Sequence, residues 1–496
     1  MAHSPTKGGK TMNEVLNFDL KTDHIDAEAV KLVEENFIHT RKVFPYKMND
    51  KEVYVAMVDP QDTATIVSLK TRFKRRVIAQ QIKENDFYTL TTSFFGVGSG
   101  MFNEVKVKDV SFTQDYSIDE NTNNAEVIQF VNRVILDAYK RGATDIHLEP
   151  IKRDVLLRFR IDGVLHNVPI PSSIKNVYLA LVSRIKIMSD LDIAEKRLPQ
   201  DGRIKIKVGD QEQDLRVSVL PTINGEAIVI RILANQKGEM ELEKLGMEPK
   251  IMHTFRELVH KPNGIVLVTG PTGSGKTTTL FSGIKEINDA TKKIITIEDP
   301  VEYQLDGVSQ IQVKSDIGLT FAAGLRAILR QDPDIVLVGE IRDKETAEIA
   351  IRASLTGHLV FATLHTNDSV SSVTRLIDMG IEPYLITSSL IGVLAQRLVR
   401  VICPFCKKEK ILDNGEATYY GEGCDYCFGT GYKGRTSIHE LYVIDDNNKK
   451  DILAGKSNFE IKANLKKNGW LDLKDDGMLK VKSGMTTYEE VYRVAW

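Results

Sequence analysis

The chain has 496 residues, 42% hydrophobic and 27% charged, and its 66 Lys and Arg nearly balance 68 Asp and Glu for a formal charge of −2. That length holds about three or four domains, and the near-neutral balance excludes the broad basic footprint of a nucleic-acid binder. No run of ~18 or more uninterrupted apolar residues is present, which excludes an ordinary membrane-spanning helix.

In chain order, the opening MAHSPTKGGKTMNEVL has no apolar core of the signal-peptide kind, so the chain is expected in the cytosol, with residues 1–11 an added tag or disordered leader ahead of Met12. Residues 12–92 mix amphipathic segments with the strand-like KEVYVAMV, ended by Asp59-Pro60, and predict a small α/β module. Its basic run KTRFKRR, Lys70 to Arg76, reads as a solvated face, with lipid or partner binding as the alternative. Residues 93–124 are polar, glycine-containing and weakly periodic, as in a linker. EVIQFVNRVILDAYKRG then predicts a helix stopped at Gly142, and opens an α+β domain over 125–233. Its strands VLLRFRI and DLRVSVL alternate with turns predicted at Asp162-Gly163, Asp201-Gly202 and Asn224-Gly225. Residues 234–496 form the last domain, with 402–432 a cysteine-bearing insert and 441–496 a helical end. Within it, PYLITSSLIGVLAQRLVRVI reads as an interior helix.

The most specific local pattern is GIVLVT followed by GPTGSGKTTTL. The first is a buried β-branched strand, and Leu280, Ile284 and Ile287 beyond the second have helical spacing. The run Gly270, Pro271, Thr272, Gly273, Ser274, Gly275, Lys276, Thr277 and Thr278 therefore joins a strand to a helix. Its glycines let main-chain N–H groups wrap phosphate oxygens, Lys276 reaches the β and γ phosphates, and Thr277 offers its hydroxyl to Mg2+. This is a P-loop, and it implies a bound nucleoside triphosphate.

Other strand ends carry acids where such folds bind ligands. KIITIEDPVEYQ delivers Glu298, Asp299 and Glu302, one of which is expected to act as general base or to position water. DPDIVLVGEIRD ends in Gly339-Glu340, so the magnesium-serving acid is Glu340 or acts through water. TGHLVFATLHTND has histidines at both ends, about 23 Å apart and on opposite faces, which excludes shared metal binding. His365 is the better placed to sense a γ phosphate, and His358 is open to a structural role. Arg326, Arg330 and Arg342 flank these segments and offer charge neutralisation. NKKD at 448–451 mimics a guanine-reading pattern but reads as a solvated turn into a helix.

All four cysteines, Cys403, Cys406, Cys424 and Cys427, fall in two CxxC pairs. That arrangement suits four thiolates around one tetrahedral Zn2+, a closed site that holds shape and leaves no position for catalysis.

Together GPTGSGKTTTL, ITIEDPVE, AILRQDPDIVLVGEIRD, TGHLVFATLHTND, LAQRLVRVICPFC and GYKGRTSIHEL resemble the secretion ATPase superfamily, and more narrowly its type IV pilus assembly and type II secretion branch. The resemblance runs from about residue 125 to the C terminus and includes ATDIHLEP, RFRIDGVL, KRLPQDGRI and LRVSVLPTINGE. It implies a cytoplasmic homo-hexamer that hydrolyses ATP between a PAS-like domain and a RecA-like domain. It makes Glu302 the catalytic carboxylate, Glu340 the Walker B acid, and His358 with His365 a histidine box. Arg216 and Arg231 match arginines that approach the phosphates from the PAS-like side. The tetracysteine element is usual in assembly and secretion motors, which favours pilus extension, with a type II secretion motor as the alternative. Expected partners are an inner-membrane platform protein and pilus base proteins, reached at the cytoplasmic face, and no nucleic acid. The arginine-leucine-glycine motif by which relatives bind cyclic di-GMP is not found, so the N-terminal module is expected to dock partners. The weaker readings are a DNA-translocating ATPase and a nucleotide-gated scaffold.

Overall fold

The computed structural model describes residues 25–95, 110–112, 122–171, 173–208, 211–232, 241–411 and 415–495. The chain divides into two compact units, Met1–Asn235 and Gln236–Trp496. The expected leader at 1–11 and the boundary at 233/234 lie outside the described residues.

In the first unit, helices α1 (Ala27–Lys31) and α2 (Glu35–Arg41) precede an antiparallel pair, β1 (Val43–Met48) and β2 (Glu52–Met57). Helix α3 (Thr63–Phe73) crosses over to β3 (Arg76–Gln81), parallel to β2, and α4 (Glu84–Phe95) follows. Parallel neighbours cannot be joined by a tight turn, hence the crossover helix, which Asp62 starts by accepting the Thr65 amide at 3.0 Å. Phe44, Val53, Val55, Leu69 and Phe87 fill this small α/β core.

A seven-stranded antiparallel sheet makes up the rest of the unit. Its strands are β4 (Val110–Phe112), β5 (Ala143–Ile151), β6 (Asp154–Ile161), β7 (Val164–Val168), β8 (Gln200–Val208), β9 (Gln211–Thr222) and β10 (Gly225–Ile232), in the order β4-β8-β9-β10-β5-β6-β7. Helices α5 (Thr122–Arg141) and α6 (Ile174–Met188) contribute Phe130, Val134, Ile135, Leu181 and Ile185 to the core beneath it. Gly142, with φ 73°, ends α5 as expected. Asp162 and Gly163, both at positive φ, make the β6–β7 hairpin turn.

The second unit holds another seven-stranded sheet: β11 (Gly264–Thr269), β12 (Ile294–Glu298), β13 (Val308–Gln312), β14 (Ile335–Val338), β15 (Leu359–Leu364), β16 (Leu390–Ile402) and, beyond a two-stranded insert, β19 (Tyr432–Val443). The order is β13-β12-β14-β15-β11-β16-β19, parallel apart from the antiparallel β16–β19 edge. Both faces are covered, so β11 alternates between two cores. Ile265 and Leu267 pack with α9 (Phe321–Ile328) and α10 (Lys344–Leu355), and Val266 and Val268 with α7 (Pro249–Val259) and α8 (Lys276–Ile287). Helices α11 (Ser371–Asp378) and α12 (Pro383–Ser389) lead into β16, and α13 (Asp446–Leu453), α14 (Asn458–Lys467), α15 (Leu473–Lys482) and α16 (Tyr488–Val494) close the chain. The insert carries a hairpin of β17 (Lys407–Ile411) and β18 (Ala417–Gly421). Among the described residues, no helix is long and apolar enough to cross a membrane.

Three sequence expectations need correction. The stretch 383–402 is not one interior helix: after α12 it becomes the strand β16, buried between β11 and β19, where covering on both sides leaves no alternation to betray a strand. Asp201-Gly202 is not a turn but lies in β8, paired with Ser218 and Val217. Gly202 is required by close approach, since a Cβ there would come within 2.4 Å of the Ser189 carbonyl oxygen. Within the stretch read as linker, Val110–Phe112 forms an edge strand against β8, α4 extends to Phe95 and α5 begins at Thr122.

Candidate nucleotide and metal sites

The P-loop stands where the sequence places it, between the end of β11 and the start of α8. Gly273 and Gly275 have φ of 76° and 87°, a conformation side-chain-bearing residues resist. Pro271, Thr272 and Thr277 are exposed, Thr278 is half-buried, and Ser274 is buried with its Oγ unpartnered by protein, which suits a hydroxyl serving the loop's ligand. Lys276 curls back so that its Nζ donates to the carbonyls of Gly270 at 2.8 Å and Pro271 at 3.1 Å. Burial pushes its pKa down to about 8, against the pull of Glu340 and with the help of Arg397.

The neighbouring strand ends converge on this lysine. Glu340 follows β14 and pairs with Arg342 and with His365, whose Nε2 lies 3.3 Å from its Oε2. Burial works to raise its pKa, but Arg342 and His365 outweigh that and hold it below the ordinary glutamate value. Gly339 stands where an aspartate is usual, and β12 passes close to it: a Cβ would lie 3.1 Å from the Ile297 carbonyl oxygen and 3.2 Å from the Glu298 Cα. The first acid after β14 is Glu340.

The three acids after β12 separate by environment. Glu298 is buried, accepts Thr296 Oγ1 at 2.6 Å and Gln310 Nε2 at 3.0 Å, and has its pKa raised chiefly by burial. Its Oε1 is occupied in bracing the sheet. Glu302 is exposed on the loop beyond, close enough to raise the pKa of Glu298. Asp299 lies near Arg342.

The two histidines occupy opposite ends of β15, as their spacing requires. His365 joins Glu340 beside the P-loop. His358 sits at the far end, its Nδ1 2.8 Å from the Ala353 carbonyl, where it closes the last turn of α10. Arg326 is engaged by Glu345, and Arg330 donates to the Arg326 carbonyl. Asn448 of the NKKD run spends its amide on the Val443 carbonyl at 2.7 Å, and Asp451 accepts from Lys456 and Asn464, so the run serves helix packing.

Arg216 and Arg231 belong to the first unit, where they are cross-strand partners on β9 and β10. Asp145 accepts from Arg231 at 2.9 Å. Arg203 stands opposite Arg216 from β8, so three arginines share one face of the sheet. Arg203 lay within the KRLPQDGRI motif, but only strand register shows its neighbours.

The four cysteine sulfurs lie within 4.8 Å of one another, with Cys403–Cys424 at 3.7 Å, Cys406–Cys427 at 3.8 Å and Cys424–Cys427 at 3.7 Å. A tetrahedron with Zn–S bonds of ~2.3 Å has edges of ~3.8 Å, so the donor set fits Zn2+. Amides of Gly423, Cys424 and Gly431 donate to these sulfurs at 3.2–3.3 Å, as suits thiolates. Burial acts to raise the Cys427 pKa, but the Cys424 and Gly431 amides prevail and lower it, whereas burial prevails at Cys406 and raises its pKa.

Residues 120–493 match the type II/IV secretion system protein family, and residues 14–100 match the MshEN domain. The chain belongs to the type II/IV secretion system protein family. Within it, the chain is 51% identical over 387 residues to type II secretion system protein E of Pseudomonas aeruginosa, covering 76% of each. It is 41% identical over 498 aligned positions to the type IV pilus assembly ATPase PilB of Myxococcus xanthus, covering 95% of this chain and 88% of that one. Against PilB of Thermus thermophilus it is 43% identical over 494 residues, 95% of this chain and 55% of the relative. Among solved structures, the ATPase DotB of Legionella pneumophila shares the fold, with TM-score 0.55 and 21% identity over 74% of this chain and 95% of that one. Membership accounts for the mixed α/β architecture, the P-loop and the ATP-hydrolysing activity, while the N-terminal module is matched separately by the MshEN domain.

Proposed function

We propose that this protein is the ATP-hydrolysing motor subunit of a type IV pilus assembly machine. The observation that carries the reading is the convergence of Lys276, Glu340 and His365 at adjacent strand ends around a P-loop. Lys276 and the loop amides of Thr272 to Thr278 bind the phosphates, and His365 senses the γ phosphate while paired with Glu340. Thr277 and Glu340 are the groups to hold Mg2+, which supplies charge neutralisation at the β and γ phosphates. Glu302, exposed on the loop beyond β12, positions or deprotonates the attacking water. Arg216 and Arg231, carried over from the motif resemblance, supply positive charge to the transferring phosphoryl group in a homo-hexamer. Cys403, Cys406, Cys424 and Cys427 hold a structural Zn2+. His358, far from Lys276 along β15, keeps a structural role in its own subunit.

Pilus assembly is favoured because the PilB relatives match across 95% of this chain, N-terminal module included. The higher identity to type II secretion protein E over 76% of it favours the second reading, a pseudopilus motor. In either case the protein works at the cytoplasmic face of the inner membrane through a platform protein and base proteins, without nucleic acid. Complementation of a deletion strain decides. Wild type but not Lys276→Ala should restore surface pili; restored secretion without pili would move the assignment to the pseudopilus, and full rescue by Lys276→Ala would overturn the motor reading.

A further inference from the structure

The strand β16 that sequence periodicity hides runs beside β11, directly behind the P-loop. Gln396 on it is 1% exposed and uses both ends of its amide: Oε1 accepts Thr279 Oγ1 at 2.6 Å, and Nε2 donates to the Ser274 carbonyl at 2.9 Å. The fit is tight, since a Cβ on Gly275 would lie 2.7 Å from that Nε2, and one on Gly270 2.5 Å from the Gln396 carbonyl oxygen.

Arg397 faces the other way. Its Nη1 donates to the Gln396 carbonyl at 3.0 Å, the same oxygen that Gly270 approaches, and its Nη2 donates to the Asn367 carbonyl at 2.7 Å. Asn367 is two residues after His365. The neighbouring Thr366 amide donates to Thr269 Oγ1 at 2.9 Å, and Thr269 ends the strand that enters the P-loop. The guanidinium thus ties the carbonyl of Gln396, whose side chain holds Ser274 and Thr279, to the chain just after His365.

Its energetics are unusual for a support. Arg397 is 7% exposed, and among the described residues it has no ion-pair partner within 4.0 Å. Burial lowers the Arg397 pKa, with Glu440 and Asp368 pulling the other way without an ion pair, and Glu440 itself accepts the Ser369 amide and hydroxyl, each at 2.6 Å. Burying a cation among carbonyls is costly, and the cost falls when an anion sits beyond the loop.

We propose that Arg397, braced by Gln396, is a positioning residue for phosphoryl transfer: it locks the P-loop and the chain after His365 into one unit, so that Lys276 and His365 keep a fixed spacing about the γ phosphate. The guanidinium fork is needed because two carbonyls lie at different points, and an ammonium reaches one of them. The inference rests on the reading of this site as an ATP hydrolase.

Steady-state ATPase kinetics on the full chain test it, with wild type, Arg397→Gln and Arg397→Lys compared alongside their thermal transitions. The expected result is a fall in kcat of roughly 10–100-fold for Arg397→Gln with KM for ATP within about 3-fold, and incomplete rescue by Arg397→Lys. A wild-type kcat in either folded variant would overturn the proposal, as would a raised KM at unchanged kcat, which marks uniform binding. If Arg397→Gln does not fold, Arg397→Lys decides; loss of folding in both assigns the residue to stability alone. Absence of turnover in the wild-type chain counts against the hydrolase reading itself and is distinguished by that control.

Discussion

Glu490 opens a quantitative test of what fixes the C-terminal helices to the ATPase sheet. Its side chain is 3% exposed and accepts four hydrogen bonds: the Arg400 amide at 3.0 Å, Arg400 Nη2 at 2.7 Å, Arg493 Nε at 3.1 Å and Arg493 Nη2 at 2.7 Å. Burial works to raise its pKa, but the arginine and backbone donors prevail and hold it at about 2. Against an unfolded value of ~4.3, this depression is worth about 3 kcal/mol. The folded pKa is the lower one, so the stabilisation is complete above the unfolded pKa and drains away as pH falls toward 2; by pH 3.5 about 1 kcal/mol of it is gone. Both tryptophans, Trp470 and Trp496, lie in the C-terminal region, so their fluorescence during urea titration reports on this unit. Glu490→Gln should lower stability by about 3 kcal/mol at pH 7, and the gap to wild type should narrow by about 1 kcal/mol at pH 3.5. A gap of constant size between those pH values would refute the linkage, leaving only lost packing.

Glu302→Gln should retain nucleotide binding in a filter assay yet hydrolyse ATP at least ~100-fold more slowly, whereas Glu298→Gln should chiefly weaken the fold; near-normal turnover in the first would move the base to another acid. Replacing Cys403 and Cys424 by Ser should release about one equivalent of zinc per chain, measured by metal analysis, and lower the melting temperature; unchanged metal content would remove the site.

What could be read from the sequence was local. The P-loop and the paired cysteines declare themselves because their chemistry is set by spacing within a few residues, and the folded chain keeps both. What escaped depended on pairing across distance. Leu390 to Ile402 is apolar on both faces, so no period marks it as a strand, and Gln396 and Arg397 were hidden with it. Gly202 resembled a turn because the Ser189 backbone that crowds it lies on another element. That β12 grazes Gly339 shows only once the strands are paired. The grouping of Arg203 with Arg216 and Arg231 is likewise a matter of register.

Ile402 and Tyr432 face each other as partners on β16 and β19, so the cysteine-bearing excursion leaves and re-enters the sheet at neighbouring points. A detour with adjacent ends lets its length vary at small entropic cost without disturbing the register of the strands beneath. The strands β16 and β19 therefore keep their pairing whatever the length of the excursion between them, which rests on the C-terminal helices where Lys407 and Tyr419 crowd Gly484.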